Sequence, residues 1–351
     1  MSKVRIGIVG LGFGHQIVRH IVEEAAGEYM ELAAVCDMDE EKAKLYGEKH
    51  GVPYFTDLND LLAQEDVPTI GLYTGPVGRA DLLHRILDAG KDIMTTKPFE
   101  VDCDAALKVL QRAESMGRVL HLNSPNPCLA PDLALASAWS QKHDLGPALS
   151  CTLTVWCRYH EKPDGSWYDD PLKCPVPPVF RLGIYLINDL VGIFSEAEKV
   201  TVLSSRMFTG RPTADQGQLS ILFKSGAIAT IFASFCVEDG DQYQNTMVLN
   251  HERGTIYRNS GPYRKTKAGD NHSEMALVMG NGQDHDKRAV VENEIILGSS
   301  GSYQWDYFAK AVQGEAIPQV TKPEDVVAAL RIIEAMSEAD QGIGVALVKP
   351  V

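Results

Sequence analysis

The sequence predicts an α/β fold: a doubly wound parallel sheet of the Rossmann type, followed by an α+β domain with a large, mostly antiparallel open sheet. Three observations carry this expectation. An apolar run at 6–9 passes directly into a glycine cluster, Gly10, Gly12 and Gly14, and then into apolar residues at helical spacing from 17 to 22. Strands and helices alternate from there to about residue 123, the pattern of a parallel sheet with crossover helices. After Asn123 the texture changes: Pro125, Pro127 and Pro131 interrupt the rhythm, and strands rich in β-branched residues follow. A chain of 351 residues suggests two domains, 1–123 and 124–351, with the closing helix free to pack back on the first.

In the first domain strands are expected at 5–9, 31–36, 69–73, 92–95 and 119–123. Helices fall between them at 15–25, 40–50, 58–64, 78–89 and 103–115. Asp57 and Asp102 are placed to cap two of these, and Gly90 and Gly117 to stop two. In the second domain a helix at 133–141 precedes strands at 149–157, 200–207, 218–223, 227–235, 246–250 and 254–258. A helix at 183–194 is inserted before most of them. Lys224-Ser225-Gly226 and Glu252-Arg253-Gly254 read as hairpin turns. The polar, glycine-rich stretch 261–282 reads as a loop or hairpin at the sheet edge, and helices at 303–312 and 323–339 close the chain.

Composition excludes several classes. A net charge of −14 argues against a nucleic-acid groove or an anionic membrane surface as partner. Seven scattered cysteines without a C-x-x-C pair read as reduced thiols in a cytoplasmic protein. No signal peptide precedes the first strand, and no apolar run reaches the ~18 residues of a membrane span. His285, in Asp284-His285-Asp286, has no partner at metal-ligand spacing, so no metal is expected. No G-x-S-x-G elbow marks a hydrolase nucleophile.

Ligands of a parallel sheet bind beyond the carboxyl ends of its strands. Here those ends are the turn at 10–14, Asp37, Thr74-Gly75-Pro76, Thr96-Lys97-Pro98 and the stretch 123–127. Five polar or glycine-rich exits on one edge suit a dinucleotide. Gly10 permits a tight turn, and Gly12 lets the backbone approach a phosphate at the helix start, with Phe13 and Gly14 beside it. The third glycine of G-x-G-x-x-G is expected at position 15, which is His15; Gly14 stands one place early. Asp37 can accept both ribose hydroxyls of NAD and would repel the extra phosphate of NADP. Its alternative is to cap the helix at 40–50, for which Asp39 is equally placed. Thr74, Pro76, Lys97 and Asn123 complete the expected cofactor residues.

The stretch Leu87-Asp88-Ala89-Gly90-Lys91-Asp92-Ile93-Met94-Thr95-Thr96-Lys97-Pro98 resembles the signature of the glucose–fructose oxidoreductase / inositol dehydrogenase / MocA (Gfo/Idh/MocA) family. Trp167-Tyr168-Asp169-Asp170-Pro171 resembles its W-x-x-D-P loop, and the run from Leu182 to Asp189 resembles its D-x-G-x-H-x-x-D helix. The tail from Pro318 through Thr321-Lys322-Pro323-Glu324-Asp325 to Gly342 resembles its closing helix. The resemblance covers nearly the whole chain. It implies NAD(P)-linked oxidation or reduction of a sugar, polyol or related hydroxyl compound, with a homodimer or homotetramer formed through the open sheet. It also implies a cis Lys97–Pro98 bond. Departures concentrate in the proton relay: the family's glutamate before Lys97 is Thr96, its first helix Asp is Arg181, its His is Tyr185 and its second Asp is Asn188, with Asp189 one place late. A His common after the third strand's turn is Arg79.

Lys97 and Tyr185 are therefore the expected catalytic residues. A lysine at a strand end can hold or take a hydroxyl proton while the cofactor takes the hydride. A tyrosine can relay a proton, or simply pack its ring with its hydroxyl bonded. Substrate contacts are expected from Lys97, Asn126, Arg158, Trp167, Arg181, Tyr185, Asn188 and Asp189. Arg181 would favour an acidic substrate such as a sugar acid, unless it pairs with Asp169 or Asp170. His160 is a spare acid–base residue beside Arg158. Two other readings compete: a catalytically silent NAD- or sugar-binding regulator, and a lyase or glycosidase that uses tightly bound NAD transiently.

Overall fold

The computed structural model describes residues 2–159, 161–239, 243–260, 272–281 and 284–351. It forms two units: the chain up to Cys128 with Tyr303–Pro323, and Leu129–Ser302 with Glu324–Val351. His160 and residues 261–271 lie outside the described residues.

In the first unit, short apolar strands buried on both faces alternate with helices. The order is β1 (Val4–Val9), α1 (Leu11–Glu23), β2 (Met30–Cys36), α2 (Glu40–His50), β3 (Tyr54–Phe55), α3 (Leu58–Leu62), β4 (Thr69–Leu72), α4 (Arg79–Asp88), β5 (Asp92–Thr95), α5 (Cys103–Ser115) and β6 (Leu120–Leu122). The six strands lie in the order β3-β2-β1-β4-β5-β6, with every pairing parallel. This is the expected doubly wound sheet, with the two-residue β3 added. Asp39, Asp57 and Asp102 each accept backbone N–H groups at the starts of α2, α3 and α5. One start differs from expectation. α1 begins at Leu11, not at 15, because Gly10 caps it in the left-handed region at φ 85°. Gly12 and Gly14 therefore belong to its first turn.

The second unit carries α6 (Pro131–Lys142), β7 (Ala148–Trp156), α7 (Ile184–Phe194), β8 (Ala197–Ser205), β9 (Gln216–Phe223), β10 (Ile228–Ser234), β11 (Gln244–His251), β12 (Thr255–Arg258), β13 (His272–Asn281) and β14 (Asp284–Leu297). α8 (Trp305–Val312), α9 (Pro323–Gln341) and β15 (Val345–Leu347) follow. Nine strands form one sheet in the order β14-β13-β12-β11-β7-β10-β9-β8-β15. Each neighbouring pair is antiparallel except β7–β10. Strand alternation sends Leu153, Leu219, Ile221, Ile231, Met247 and Leu277 into one core with α7 and α9. The opposite face presents side chains such as Thr152, Thr230 and Phe232, which are not fully buried.

The stretch 261–282 was expected as a loop or hairpin at the sheet edge; its residues 272–281 are strand β13, which pairs antiparallel with the edge strand β14, an element beyond the stretch that was read. The polar content masks a regular alternation, in which Met275 and Leu277 are buried while Glu274 and Ala276 are not. The segment that rejoins the first unit carries α8, whose Trp305, Phe308 and Ala309 enter the core of β1 and α1. α9 instead buries Ile332, Ile333 and Met336 in the core of the second unit. No helix among the described residues is long and apolar enough to cross a membrane. None of the seven cysteines is in a disulfide.

Candidate active site

The glycine turn follows from local crowding. A Cβ on Gly10 would lie 2.9 Å from the carbonyl carbon of Tyr73, and its N–H donates to Cys36 O at 2.9 Å. Around Gly12, nothing lies within 4 Å of where a Cβ would stand. Gly14 is buried, and a Cβ there would come to 3.0 Å from Ile8 Cγ2 on β1. Gly14 thus makes the close helix–strand contact that the motif assigned to position 15, which corrects the sequence reading. The chain needs no glycine at His15, whose Nδ1 lies 2.8 Å from Gly12 O. Phe13 projects outward, 48% exposed, with its ring 6.0 Å from that of Tyr73.

Asp37 follows β2. Its Oδ2 accepts the Leu11 N–H at 2.7 Å and its Oδ1 the Asp39 N–H at 3.0 Å. The carboxylate is fixed against the start of α1, while each oxygen retains a lone pair. Asp39, and not Asp37, caps α2, accepting from Lys42 N at 3.1 Å. Beyond β4, Pro76 is buried and the Thr74 hydroxyl is buried with no hydrogen-bond partner.

Lys97 stands on a turn held from two sides. The Lys97–Pro98 bond is cis. Asn123, expected as a cofactor contact, accepts at Oδ1 from Lys97 N at 3.1 Å and from the Thr96 hydroxyl at 3.2 Å. Arg79, at the start of α4, is 2% exposed. Its Nη1 donates to the carbonyls of Thr96 at 2.6 Å, Pro98 at 2.5 Å and Phe99 at 3.2 Å, and its Nη2 donates to Thr74 O. Burial pushes this guanidinium down to about 10, against the opposing pull of the Glu100 carboxylate. Glu100 itself accepts the Ala80 N–H at 2.8 Å and the Val101 N–H at 2.7 Å. Within 91–100 every residue is buried except Lys97. Asn126 lies past this turn; its carbonyl accepts from the Thr321 hydroxyl.

In the second unit, α7 is preceded by a π turn, Val179–Gly183. Across 174–191 only Arg181 and Tyr185, one turn apart, are not buried. Asn188 continues that spacing, 9% exposed. Gly301 presses on Tyr185: a Cβ there would lie 2.6 Å from Cε1 of the ring. Arg181 does not pair with Asp169 or Asp170. Its Nη1 and Nη2 each donate to Glu161 at 2.7 Å, and its guanidinium lies 4.0 Å from the centroid of Tyr168 and 5.0 Å from those of Tyr159 and Phe235. Asp169 accepts instead from Arg211 at 2.5 Å, and Arg211 also donates to Asp164, holding that carboxyl well below its usual range. Trp167 packs 4.2 Å from Tyr168 and 6.3 Å from Phe180, centroid to centroid. Arg158 pairs with Glu238, its guanidinium 5.2 Å from the Phe208 ring.

Asp189, one residue past Asn188, points into the core. Arg258, 1% exposed, donates to Asp189 at 3.0 Å, to Asp132 at 2.8 Å and to Asn245 at 2.8 Å. The Asp189 carboxylate is therefore committed to an internal ion cluster, which corrects its placement among substrate contacts. Burial raises its pKa to about 6, with Arg258 opposing and the Asp132 charge adding to the rise. Sequence reasoning missed Glu161, Arg211 and Arg258, whose partners lie far along the chain. For Arg258, a charged residue closing an alternating strand was the available signal. Among the described residues no three of His, Cys, Asp and Glu gather as a metal site.

A parallel sheet with a glycine turn, an acid at the second strand exit and a lysine at the fifth defines a dinucleotide-binding Rossmann oxidoreductase. Residues 4–124 match the profile described as oxidoreductase family, NAD-binding Rossmann fold, and residues 134–257 match that of the GFO/IDH/MocA C-terminal domain. The chain belongs to the Gfo/Idh/MocA oxidoreductase family. It is similar to an uncharacterized oxidoreductase of Schizosaccharomyces pombe, 24% identical over 207 residues, which is 57% of this chain and 55% of that protein. It also resembles an inositol 2-dehydrogenase of Rubrobacter xylanophilus, 28% identical over 120 residues, 34% of each chain. The matches thus span about half or a third of these relatives. In fold, the aldose–aldose oxidoreductase of Caulobacter crescentus, solved with glycerol, superposes with a TM-score of 0.74 at 19% identity, covering 99% of this chain and 100% of that one.

The raised pKa of Asp189 sets a pH dependence. The folded state holds that proton more tightly than the unfolded chain, so this group's contribution is full below the ordinary value of 3.8 and is lost as pH rises through about 6. Asp189→Asn removes the titration. Chemical denaturation should show the variant gaining on the native protein by about 1–3 kcal/mol between about pH 4 and about pH 7. A difference independent of pH would contradict this account.

Proposed function

We propose that the protein transfers hydride between a nicotinamide dinucleotide and the hydroxyl-bearing carbon of a sugar or cyclic polyol, with Lys97 handling the proton. The observation that carries this reading is the presentation of Lys97, the one side chain to emerge from an otherwise buried strand exit. The residues present fit a dinucleotide. The space over Gly12 is open, the Thr74 hydroxyl is buried without a partner, and the Asp37 carboxylate is anchored with lone pairs to spare. Gly10, Gly12, Phe13 and Gly14 would hold the pyrophosphate and Asp37 the ribose, favouring NAD over NADP. Thr74 and Pro76 would line the same edge of the sheet. When bound, the nicotinamide supplies the hydride acceptor or donor.

Lys97 then performs the protein's share of the chemistry. As an amine it takes the proton of the substrate hydroxyl during oxidation. As an ammonium it donates to the carbonyl oxygen during reduction, stabilising the growing negative charge. Tyr185 is proposed as a second proton-handling side chain and Asn188 as a hydroxyl contact on the same face of α7. A neutral polyol is favoured over a sugar acid, because Arg181 is already neutralised by its bidentate pair with Glu161. The inositol and aldose chemistry in the names of similar proteins points the same way. The outer face of the nine-stranded sheet is proposed to join copies of the chain into a homodimer or homotetramer.

Four measurements test this reading. With NAD and a panel of inositols and sugars, the reduced-nicotinamide absorbance band should grow for at least one polyol. Lys97→Met should lower kcat by about 100-fold or more while NADH affinity stays within about threefold. Unchanged turnover would remove Lys97 from the chemistry. Asp37→Ala should reduce the preference for NAD over NADP by about tenfold or more, and no change in the ratio would discard the ribose assignment. Sedimentation equilibrium should show a dimer or tetramer; a monomer at micromolar concentration would discard the sheet-face association.

A further inference from the structure

We propose that Arg79 is a positioning residue for Lys97: its buried guanidinium fixes the turn that presents the reactive amine. The proposal rests on the reading of Lys97 as the proton-handling group. Backbone carbonyls at the exits of parallel strands have no ladder partner, so each needs another donor. Arg79 reaches four of them, three sharing the two N–H groups of Nη1. Through Nη1 it binds the carbonyls of Thr96 and Pro98, the residues on either side of Lys97, and also that of Phe99. Through Nη2 it binds Thr74 O, at the exit of the neighbouring strand β4. One side chain therefore ties the Lys97 turn to the adjoining strand exit, where an unpartnered hydroxyl faces inward at Thr74. Asn123 fixes the remaining side through Lys97 N.

The chemistry needed is that of arginine. A guanidinium offers five donors in a planar fork, enough to span carbonyls on two strands. A lysine offers three donors from one point, and a neutral imidazole offers one. The Glu100 carboxylate is taken up by the N–H groups of Ala80 and Val101. Arg79 thus meets the Lys97 turn chiefly through backbone oxygens. A filler of the core could be replaced by an isosteric side chain without consequence for Lys97. A clamp could not.

The test reads Lys97 directly and does not require a known substrate. Competitive acetylation with acetic anhydride across pH, followed by peptide mass spectrometry, gives the titration midpoint of the Lys97 amine. It is run with and without NADH, on the native protein, Arg79→Lys, Arg79→Gln and Glu100→Gln. The native amine should be protected by NADH about fivefold or more. Both Arg79 variants should melt at lower temperature, shift the Lys97 midpoint by about half a unit or more and lose most of the NADH protection, with Lys108 unaffected. Glu100→Gln keeps the guanidinium in place and should leave the Lys97 profile as in the native protein. An unchanged Lys97 profile in a folded Arg79 variant would overturn the proposal. So would an equal shift in Glu100→Gln, or failure of both Arg79 variants to fold, which would make the residue purely structural. If no polyol reduces NAD, the hydride-transfer reading fails while the acetylation profile still decides the role of Arg79.

Discussion

Backbone groups at the carboxyl edge of the first sheet lie where strand pairing ends, and their need for partners shapes everything on that edge. Asp37 takes the first N–H of α1, Asp39 takes an N–H of α2, Asn123 takes the N–H of Lys97, and Arg79 takes four carbonyls. Glu100 takes the N–H groups of Ala80 and Val101. Beside these satisfied groups, the same edge carries the open turn at Gly12, the Asp37 carboxylate and the half-buried Lys97.

The first unit was legible because its signals are local. An apolar run, a glycine turn and an acidic cap each occupy a few consecutive residues, and alternation of strand and helix orders them. The slip of one position at Gly14 was not legible. The motif counts residues, whereas the helix responds to where it starts, and Gly10 starts it four residues earlier than periodicity suggested. In the second unit the strands between 149 and 258 could be read from alternation. β13 lies in a stretch that polar residues and glycines left open between a loop and an edge hairpin, and β15 was too short, at three residues, to be read.

Side-chain commitments were the least legible layer. Asp189 was weighed with Asn188 as a substrate contact and also as a structural residue of the helix face; one step along a helix is a rotation of about 100°, which carries it from the face of Tyr185 to the interior beside Arg258. The partner of Arg181 was sought among the two acids of the Trp167 loop and is Glu161, 20 residues upstream. Asp169 was already spoken for by Arg211. Pairings of this kind depend on how loops return to a sheet, and no spacing rule encodes them.

The single parallel pair in the second sheet, β7 with β10, has a topological consequence. Parallel neighbours cannot be joined by a tight turn and require a long crossover. Here that crossover runs from 157 to 227 and contains the π turn, α7 and the hairpin of β8 with β9. Every second-unit residue expected to contact substrate lies on this one excursion. Its sequence could be rewritten for another substrate while β7 and β10 keep their register, so the sheet would act as a chassis with an exchangeable module.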